Sequence, residues 1–325
     1  MKKILSLILV LVLALSCFTM LFACTPADNG DNNNDNNDNN EPATPTYSVA
    51  IAAESVALAS RGGSKLGNNF AVVVFDAEGK IVAASFDSTE ISDPTIGEDG
   101  ALVAQEIVSK VESNYKKGSM AYTWGEQAAA FANFIKGKTA DEVAALDVTT
   151  EGLVAGCTMA STSYSSMLNL QALVVKAAAS TKKVTFESAT ADFKLGAGMN
   201  VTVAKKWDNS AVTVTADCAG AVVGADGKVI AAVIDTIEQS YAIGEGNALT
   251  LNTISDSKLA MGDAYEGDRP MAGGRWYNQI AAFANTAVGK TAAEVSGLDT
   301  ENVTGCTINV TGHKVVLVKA VGNAQ

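Results

Sequence analysis

Two short segments of the chain combine residue types and spacing that could hold an anion. Gly156–Thr158 and Gly305–Thr307 both read Gly-Cys-Thr, and each runs into an apolar stretch with helical features. A turn that opens a helix presents unpaired N–H groups and the positive end of the helix dipole, which suits a phosphate group. A second interpretation stays open, in which the threonines cap the helix start and the cysteines are buried as small apolar side chains.

A second pair of segments, Gly137–Thr139 and Gly289–Thr291, reads Gly-Lys-Thr and invites comparison with a phosphate-binding loop. That loop needs a further glycine five positions earlier, where Ala132 and Ala284 stand. The glycine is instead predicted to end one helix, and the threonine to start the next through a capping box with the glutamate three residues later. We therefore expect structural roles for both segments.

These motifs belong to a longer stretch that occurs twice, about 150 residues apart. The copies begin at Trp124 and Trp276, and each continues with a glutamine, alanines, a phenylalanine and an asparagine at matching positions. A unit of this length is domain-sized. Because His313 is the only histidine, neither a zinc site nor a Ser/His/Asp triad can be assembled in both copies. We expect no catalytic residue and no metal ligand.

Each copy opens with β-type sequence and closes with helices. The segments 70–87 and 221–235 are predicted to form β-hairpins around a glycine-containing turn. The segments 88–123 and 236–275 are predicted to be loops and short helices, where a ligand-facing surface would lie. The fold class is therefore α+β, with two tandem repeated domains, each a small antiparallel sheet packed against helices. Whether the two domains pack together or stay separate is left open. The predicted domains span residues 46–183 and 184–325.

The two tryptophans have two possible roles. Trp124 and Trp276 each begin an apolar helical stripe, which favours a core position, although either ring could stack on a flat cofactor. Gln127 and Gln279 lie about one turn further on. An amide beside an apolar face needs hydrogen-bond partners, so we expect both glutamines to satisfy backbone groups of a neighbouring loop.

The N-terminus has the pattern of a targeting segment. Residues 1–23 combine two lysines with a long apolar run, and Leu21–Cys24 resembles a bacterial lipobox in which Cys24 is lipidated. Two alternatives stay open, a processing site at Cys17 and an uncleaved transmembrane anchor. Residues 24–45 are rich in Asn and Asp and are predicted to be a disordered tether. Each interpretation places the rest of the chain at the extracytoplasmic face of the membrane, anchored by lipid in the favoured one.

The overall charge limits the possible partners. The formal net charge of −12 argues against nucleic acid and against an anionic membrane surface as binding partners. Three cysteines lie beyond the targeting segment, and this odd number excludes a complete disulfide framework. Two of them, Cys157 and Cys306, occupy equivalent positions of the two copies, which indicates a shared packing position.

The second Gly-Cys-Thr segment resembles the FMN-binding domain family of extracytoplasmic electron-transfer proteins. That family has an acidic residue, a Ser/Thr-Gly-Ala-Thr segment and then a helix, and its last threonine carries FMN in flavinylated members. Glu301 stands at the acidic position, Thr304 and Gly305 match, Cys306 replaces the alanine, and Thr307 falls on the flavin-bearing threonine.

The first copy matches this family at fewer positions. Gly156 and Thr158 match, Cys157 again replaces the alanine, and Ala155 occupies the Ser/Thr position. The resemblance implies two degenerate tandem copies of the domain, and it implies that any FMN depends on Thr307 more than on Thr158. Trp276 or Tyr277 would then be the stacking partner of the flavin ring.

Two functions follow from these observations. The resemblance implies a surface-anchored lipoprotein that binds flavin or transfers electrons, with the cofactor supplying the chemistry. The alternative is a non-catalytic surface module for binding a small molecule or a wall component, or for adhesion.

Overall fold

The computed structural model describes residues 43–60, 63–92, 94–103, 107–118, 120–159 and 165–324. The predicted signal peptide, the lipidation site at Cys24 and nearly all of the predicted tether lie outside these residues. Thr44–Gln325 form one compact unit. Within the described part of the chain, no helix combines the length and the apolar character needed to cross a membrane.

Both halves of this unit contain three long strands that are followed by helices, and the second half has two additional short strands and an additional short helix. The first half contains β1 (Thr46–Ser60), β2 (Gly63–Phe75), β3 (Ile81–Ser92), α1 (Trp124–Ile135), α2 (Ala140–Ala144) and α3 (Met167–Ala179). The second half contains β4 (Val184–Glu187), β5 (Lys194–Lys205), β6 (Ala211–Val223), β7 (Val229–Ile243), β8 (Leu249–Ile254), α4 (Lys258–Met261), α5 (Trp276–Asn285), α6 (Ala292–Ser296) and α7 (Thr311–Gly322). Two short 3-10 helices span Glu245–Asn247 and Gly262–Tyr265.

The strands form two antiparallel four-stranded sheets, in the orders β3-β2-β1-β4 and β5-β6-β7-β8. Helix α3 packs on β1 and β2, and α7 packs on β5 and β6 in the same way. The predicted α+β class with two sheet-plus-helix units is therefore confirmed. The short strand β4 begins at Val184, the first residue of the predicted second repeat, yet it pairs with β1 of the first sheet, with Thr46 opposite Glu187.

Both faces of the first sheet are buried. Ala50, Ala52 and Val73 belong to the core under α1 to α3, whereas Ile51 and Val72 belong to a second core shared with the other half. Because successive side chains of a strand point to opposite faces, the continuous apolar run of β2 supplies both cores, as expected for a strand covered on both sides. The two repeats therefore pack against each other through a common hydrophobic core.

Glycines allow the closest approaches in this core. A Cβ atom at Gly220 of β6 would lie 2.7 Å from Cγ2 of Val72 in the first sheet. A Cβ atom at Gly198 of β5 would lie 2.7 Å from the backbone nitrogen of Ala320 in α7. Both distances are far below van der Waals contact, so these positions require glycine for the two sheets, and for β5 and α7, to pack as they do.

The predicted helix starts in the repeated stretch are confirmed in both copies, whereas the predicted helix-ending glycine is confirmed in only one. Thr139 and Thr291 both form the predicted capping boxes, with Glu142 and Glu294 as the reciprocal partners. Gly137 follows the C-cap of α1 with φ of +77°, as predicted. The prediction that a glycine also ends the second helix is wrong, because α5 ends at Asn285, before Gly289.

Two other local predictions are wrong. The loop and short-helix segments are shorter than predicted, because β3 extends to Ser92 and β7 extends to Ile243, where it pairs with β8. The Gly-Cys-Thr segments do not open helices directly. Helix α3 begins at Met167 and α7 begins at Thr311, so both segments are turns that precede the helix.

Candidate ligand-binding site

Glutamine side chains organise both Gly-Cys-Thr turns. The Oε1 atom of Gln127 accepts hydrogen bonds from the backbone N–H of Thr158 at 2.7 Å and from its hydroxyl at 3.2 Å. The Oε1 atom of Gln279 accepts the equivalent bonds of Thr307 at 2.7 and 3.0 Å. The prediction that the glutamines bond to backbone groups of a neighbouring loop is therefore confirmed. Thr158 and Thr307 do not start a helix, so that prediction is wrong for both threonines.

The side-chain N–H groups of the same glutamines bond to the loop that precedes each helix. We call each glutamine, together with the threonine that bonds to it, a Gln–Thr clamp. Nε2 of Gln127 donates to the carbonyl of Tyr122 at 3.2 Å, and Nε2 of Gln279 donates to the carbonyl of Gly274 at 2.8 Å. Each glutamine thus joins the loop before its helix to the Gly-Cys-Thr turn. A phosphate bound by these turns would have to compete with an amide oxygen already in place.

The cysteines of the two turns are buried. Cys157 and Cys306 each belong to a hydrophobic core, as their equivalent positions predicted. Burial raises the pKa of both thiols, so neither is a reactive thiolate. Cys157, Cys218 and Cys306 are all free.

Trp124 and Trp276 are buried at the first position of α1 and α5, so their core role is confirmed. The indole N–H of Trp124 donates to the carbonyl of Ser165 at 3.0 Å. Tyr277 lies elsewhere, since its hydroxyl donates to Asp263 at 2.9 Å and its ring carries the ammonium of Lys182 at 3.5 Å from the centroid. Neither partner of Tyr277 belongs to the turn that contains Thr307.

Buried aspartates, which the sequence analysis did not single out as site residues, attach the loop to the sheet. Asp87 of β3 accepts bonds from the N–H of Val111 at 3.2 Å and from the hydroxyl of Ser109 at 2.5 Å. Asp235 of β7 accepts the equivalent bond from the N–H of Leu259 at 3.0 Å. Burial raises the pKa of both carboxyl groups to about 6. The sequence carries a signal of this contact, because each loop contains a Ser-Lys pair at a matching position, Ser109–Lys110 in the first repeat and Ser257–Lys258 in the second.

The lysine of each Ser-Lys pair points towards the tryptophan. The ammonium of Lys110 lies 4.9 Å from the ring centroid of Tyr115 and 5.9 Å from that of Trp124, and it donates to the hydroxyl of Ser165 at 2.7 Å. Such contacts stabilise a desolvated cation through the negative face of each ring. The first repeat therefore places a positive charge and two aromatic rings beside the Gln127–Thr158 clamp.

The second repeat builds an equivalent cluster around Lys258. The ammonium of Lys258 lies 4.7 Å from the ring centroid of Tyr265 and 5.4 Å from that of Trp276. It also forms an ion pair of 2.9 Å with Glu238. The duplicated cluster shows that the two halves share local architecture as well as fold.

A cavity opens beside the cluster of the first repeat. It has a volume of about 370 Å³ and adjoins a second cavity of about 470 Å³, with Thr158 and Met159 lining both. Thr158 is exposed at this shared border. The smaller cavity is lined by aromatic, cationic, apolar and polar side chains, namely Glu90, Lys110, Tyr115, Lys117, Met120, Trp124, Gln127, Thr158, Met159 and Ser165.

In the second repeat a loop packs on the corresponding glutamine and threonine, although Thr307 is itself exposed, as Thr158 is. A Cβ atom at Gly273 would lie 2.6 Å from both the hydroxyl of Thr307 and Oε1 of Gln279, so this backbone packs directly on the clamp. Arg275 of the same loop forms an ion pair with Glu266 at 3.4 Å. A flat ring could reach Thr307 on this side only if the loop moved.

The remaining residues of the family resemblance lie on the surface of the second turn. Glu301, Thr304 and Gly305 are all exposed. The N–H of Glu301 donates to the side chain of Asp299 at 2.8 Å, and Gly305 has φ of +79°. In the first copy, Gly156 takes the equivalent conformation with φ of +81°.

The single histidine lies in a buried polar cluster without the geometry of a catalytic triad. Nε2 of His313 lies 3.1 Å from the hydroxyl oxygen of Thr236 and 3.4 Å from Oδ1 of Asp217. A triad uses both ring nitrogens, one for the nucleophile and one for the acid. Here one nitrogen faces both groups, and burial lowers the pKa of His313.

Across the described ranges, no three His, Cys, Asp or Glu side chains are grouped so that they could hold a metal ion. No family model matches the chain, and neither a curated protein nor a solved structure matches it.

Proposed function

We propose that this protein is a membrane-anchored extracytoplasmic binding protein whose first repeat holds FMN without a covalent bond. The observation that carries the proposal is the pair of adjoining cavities that meet at Thr158. Together they have the size range of small-molecule and cofactor sites. A lipid anchor at Cys24 would keep this site at the outer face of the membrane.

The lining of the smaller cavity fits the parts of FMN. Trp124 and Tyr115 offer aromatic surface for a flat ring. The lining holds two cations, Lys110 and Lys117, and one carboxylate, Glu90, so its net charge is positive in a chain of net charge −12, which favours an anionic group such as a phosphate. The hydroxyl of Thr158 and the amide of Gln127 add polar groups that could orient the ligand.

The geometry favours the first copy over the second, although the family resemblance is stronger in the second. Thr158 borders open cavities, whereas the backbone of Gly273 packs against Thr307. We therefore propose that the flavin site lies at Thr158, in the first copy, and not at Thr307. Bound flavin would supply one-electron and two-electron chemistry, and these side chains would hold and orient it.

A titration of the full chain in detergent tests the proposal. FMN and riboflavin are added separately, and quenching of flavin fluorescence is followed to saturation. We expect saturable binding of both, with FMN bound more tightly because only FMN carries the phosphate. Lys117→Ala should reduce this preference, and Thr158→Val should weaken the binding of both flavins.

Thr307→Val provides the matched control, because it removes the same hydroxyl from the equivalent turn. It should leave both affinities unchanged. The proposal is refuted if the folded protein binds neither flavin, or if Thr307→Val weakens binding as much as Thr158→Val does. Mass spectrometry of protein from the native host would show whether either threonine carries a covalent flavin, an outcome that contradicts the non-covalent site.

A further inference from the structure

A separate cavity lies where the linker between the repeats crosses the second repeat. It has a volume of about 240 Å³. Its walls come from the linker after α3, from the middle of β7 and from one face of α5, with Lys182, Ala232, Ile234, Tyr277 and Ile280 among the lining residues. Because a linker follows α3 in this way only between the two repeats, the cavity is a product of the tandem arrangement.

The cavity has an apolar floor and a cationic edge. Ala232 and Ile234 belong to the shared core, and Ile280 closes the floor from α5. Lys182 and Lys183 stand at the edge, and the described lining residues include no carboxylate. In a chain of net charge −12, a pocket edged only by cations is a local exception, and it selects for an anionic group.

The lysine at this edge is held in position. The ammonium of Lys182 lies 3.5 Å from the ring centroid of Tyr277, and the hydroxyl of Tyr277 donates to Asp263 at 2.9 Å. The contact with the ring restricts the lysine, so less conformational entropy is lost when an anion binds to it. The ring of Tyr277 also forms an apolar wall of the cavity.

We infer that this cavity is a binding site for a small aromatic carboxylate of about the size of benzoate. An apolar cavity of about 150 Å³ can hold benzene, so the 240 Å³ here can hold a six-membered ring with a carboxylate group. The ring would lie on the floor formed by Ala232, Ile234 and Ile280. The carboxylate would face Lys182. The site is independent of the flavin site proposed above.

Fluorine NMR with 4-fluorobenzoate, added to the full chain in detergent, tests this inference. We expect saturable binding in the micromolar to millimolar range, and at least about fivefold weaker binding to Lys182→Ala. Ala281→Phe should abolish binding, since Ala281 lines the cavity on an exposed position of α5 and the larger ring would fill the opening. Lys136→Ala, which removes an exposed lysine outside the cavity, should bind as the wild type does.

Three outcomes would overturn the inference. The first is the absence of saturable binding by the folded wild type. The second is binding that is unchanged in Ala281→Phe, provided that circular dichroism shows this variant to be folded. The third is equal affinity for 4-fluorobenzamide, because an uncharged amide of the same shape lacks the carboxylate that Lys182 is proposed to bind. None of these results depends on flavin binding.

Discussion

The buried aspartates should make the stability of the protein depend on pH in an unusual direction. Asp87 and Asp235 are both buried, and burial raises the pKa of each to about 6 from an ordinary value of 3.8. Between about pH 4 and pH 6, the native state therefore binds more protons at these two carboxyl groups than the unfolded state does. Stability should be highest below about pH 4 for this contribution and should fall as pH rises towards 6.

The size of the effect follows from the shift of about two pKa units. Each unit corresponds to about 1.4 kcal/mol, so the ionised form of each aspartate should cost roughly 3 kcal/mol of folding free energy above pH 6. Asp235→Asn keeps the shape of the side chain and the oxygen that accepts from Thr236 and Leu259. It removes the ionisation. The variant should match the wild type near pH 4 and should exceed its stability at pH 7 by up to about 3 kcal/mol.

Urea unfolding of the wild type, Asp235→Asn, Asp87→Asn and the double variant at several pH values between 4 and 7 measures this effect. The informative quantity is the difference in unfolding free energy between variant and wild type. Other groups whose pKa changes on folding, such as Glu54 (raised) and His313 (lowered), contribute to both proteins and largely cancel in the difference. A difference that stays constant from pH 4 to pH 7 would refute the argument that these carboxyl groups are buried in an ionisable state.

Four further predictions concern single residues. Thr291→Ala should lower stability by about 1 kcal/mol through loss of its capping box, measured by urea unfolding. Gly220→Ala should cost about 1 to 3 kcal/mol, because its Cβ atom would press against the other sheet; equal stability would contradict the close approach. Gln279→Leu should cost about 1 to 3 kcal/mol, since it leaves the N–H of its partner turn unpaired. Cys24→Ala should release the protein from the membrane fraction or leave an uncleaved precursor, and unchanged anchoring would exclude the lipobox.

Local signals in the sequence were sufficient for much of the fold. The two hairpins, the capping boxes at Thr139 and Thr291 and the buried positions of Trp124 and Trp276 all follow from patterns within a few residues of each other. The residues that form these turns and caps are close together in the sequence, so residue type and spacing predict them. The role of Gln127 was also predictable, because a buried amide must find partners wherever it lies.

The ends of elements were less predictable. The strands β3 and β7 run further than their apolar patterns indicate, since pairing with neighbouring strands extends them into more polar sequence. A glycine turn before an apolar run is typical both of a helix start and of a turn that precedes the helix, so the sequence does not distinguish the two for the Gly-Cys-Thr segments. The amide oxygens of Gln127 and Gln279, each about 30 residues earlier in the chain, take the N–H groups that the helix interpretation required.

The order of residues alone predicts a duplicated α+β unit, because repetition and periodicity can be read from it directly. The tertiary structure alone shows which of the two Gly-Cys-Thr turns borders open cavities. The cavity beside Thr158, the loop that packs against one side of Thr307 and the position of Lys182 over Tyr277 each depend on segments that are distant in the chain. Two copies with matching motifs therefore differ in the volume of open space beside each motif. Packing between distant segments sets this volume, and no local sequence pattern encodes that packing.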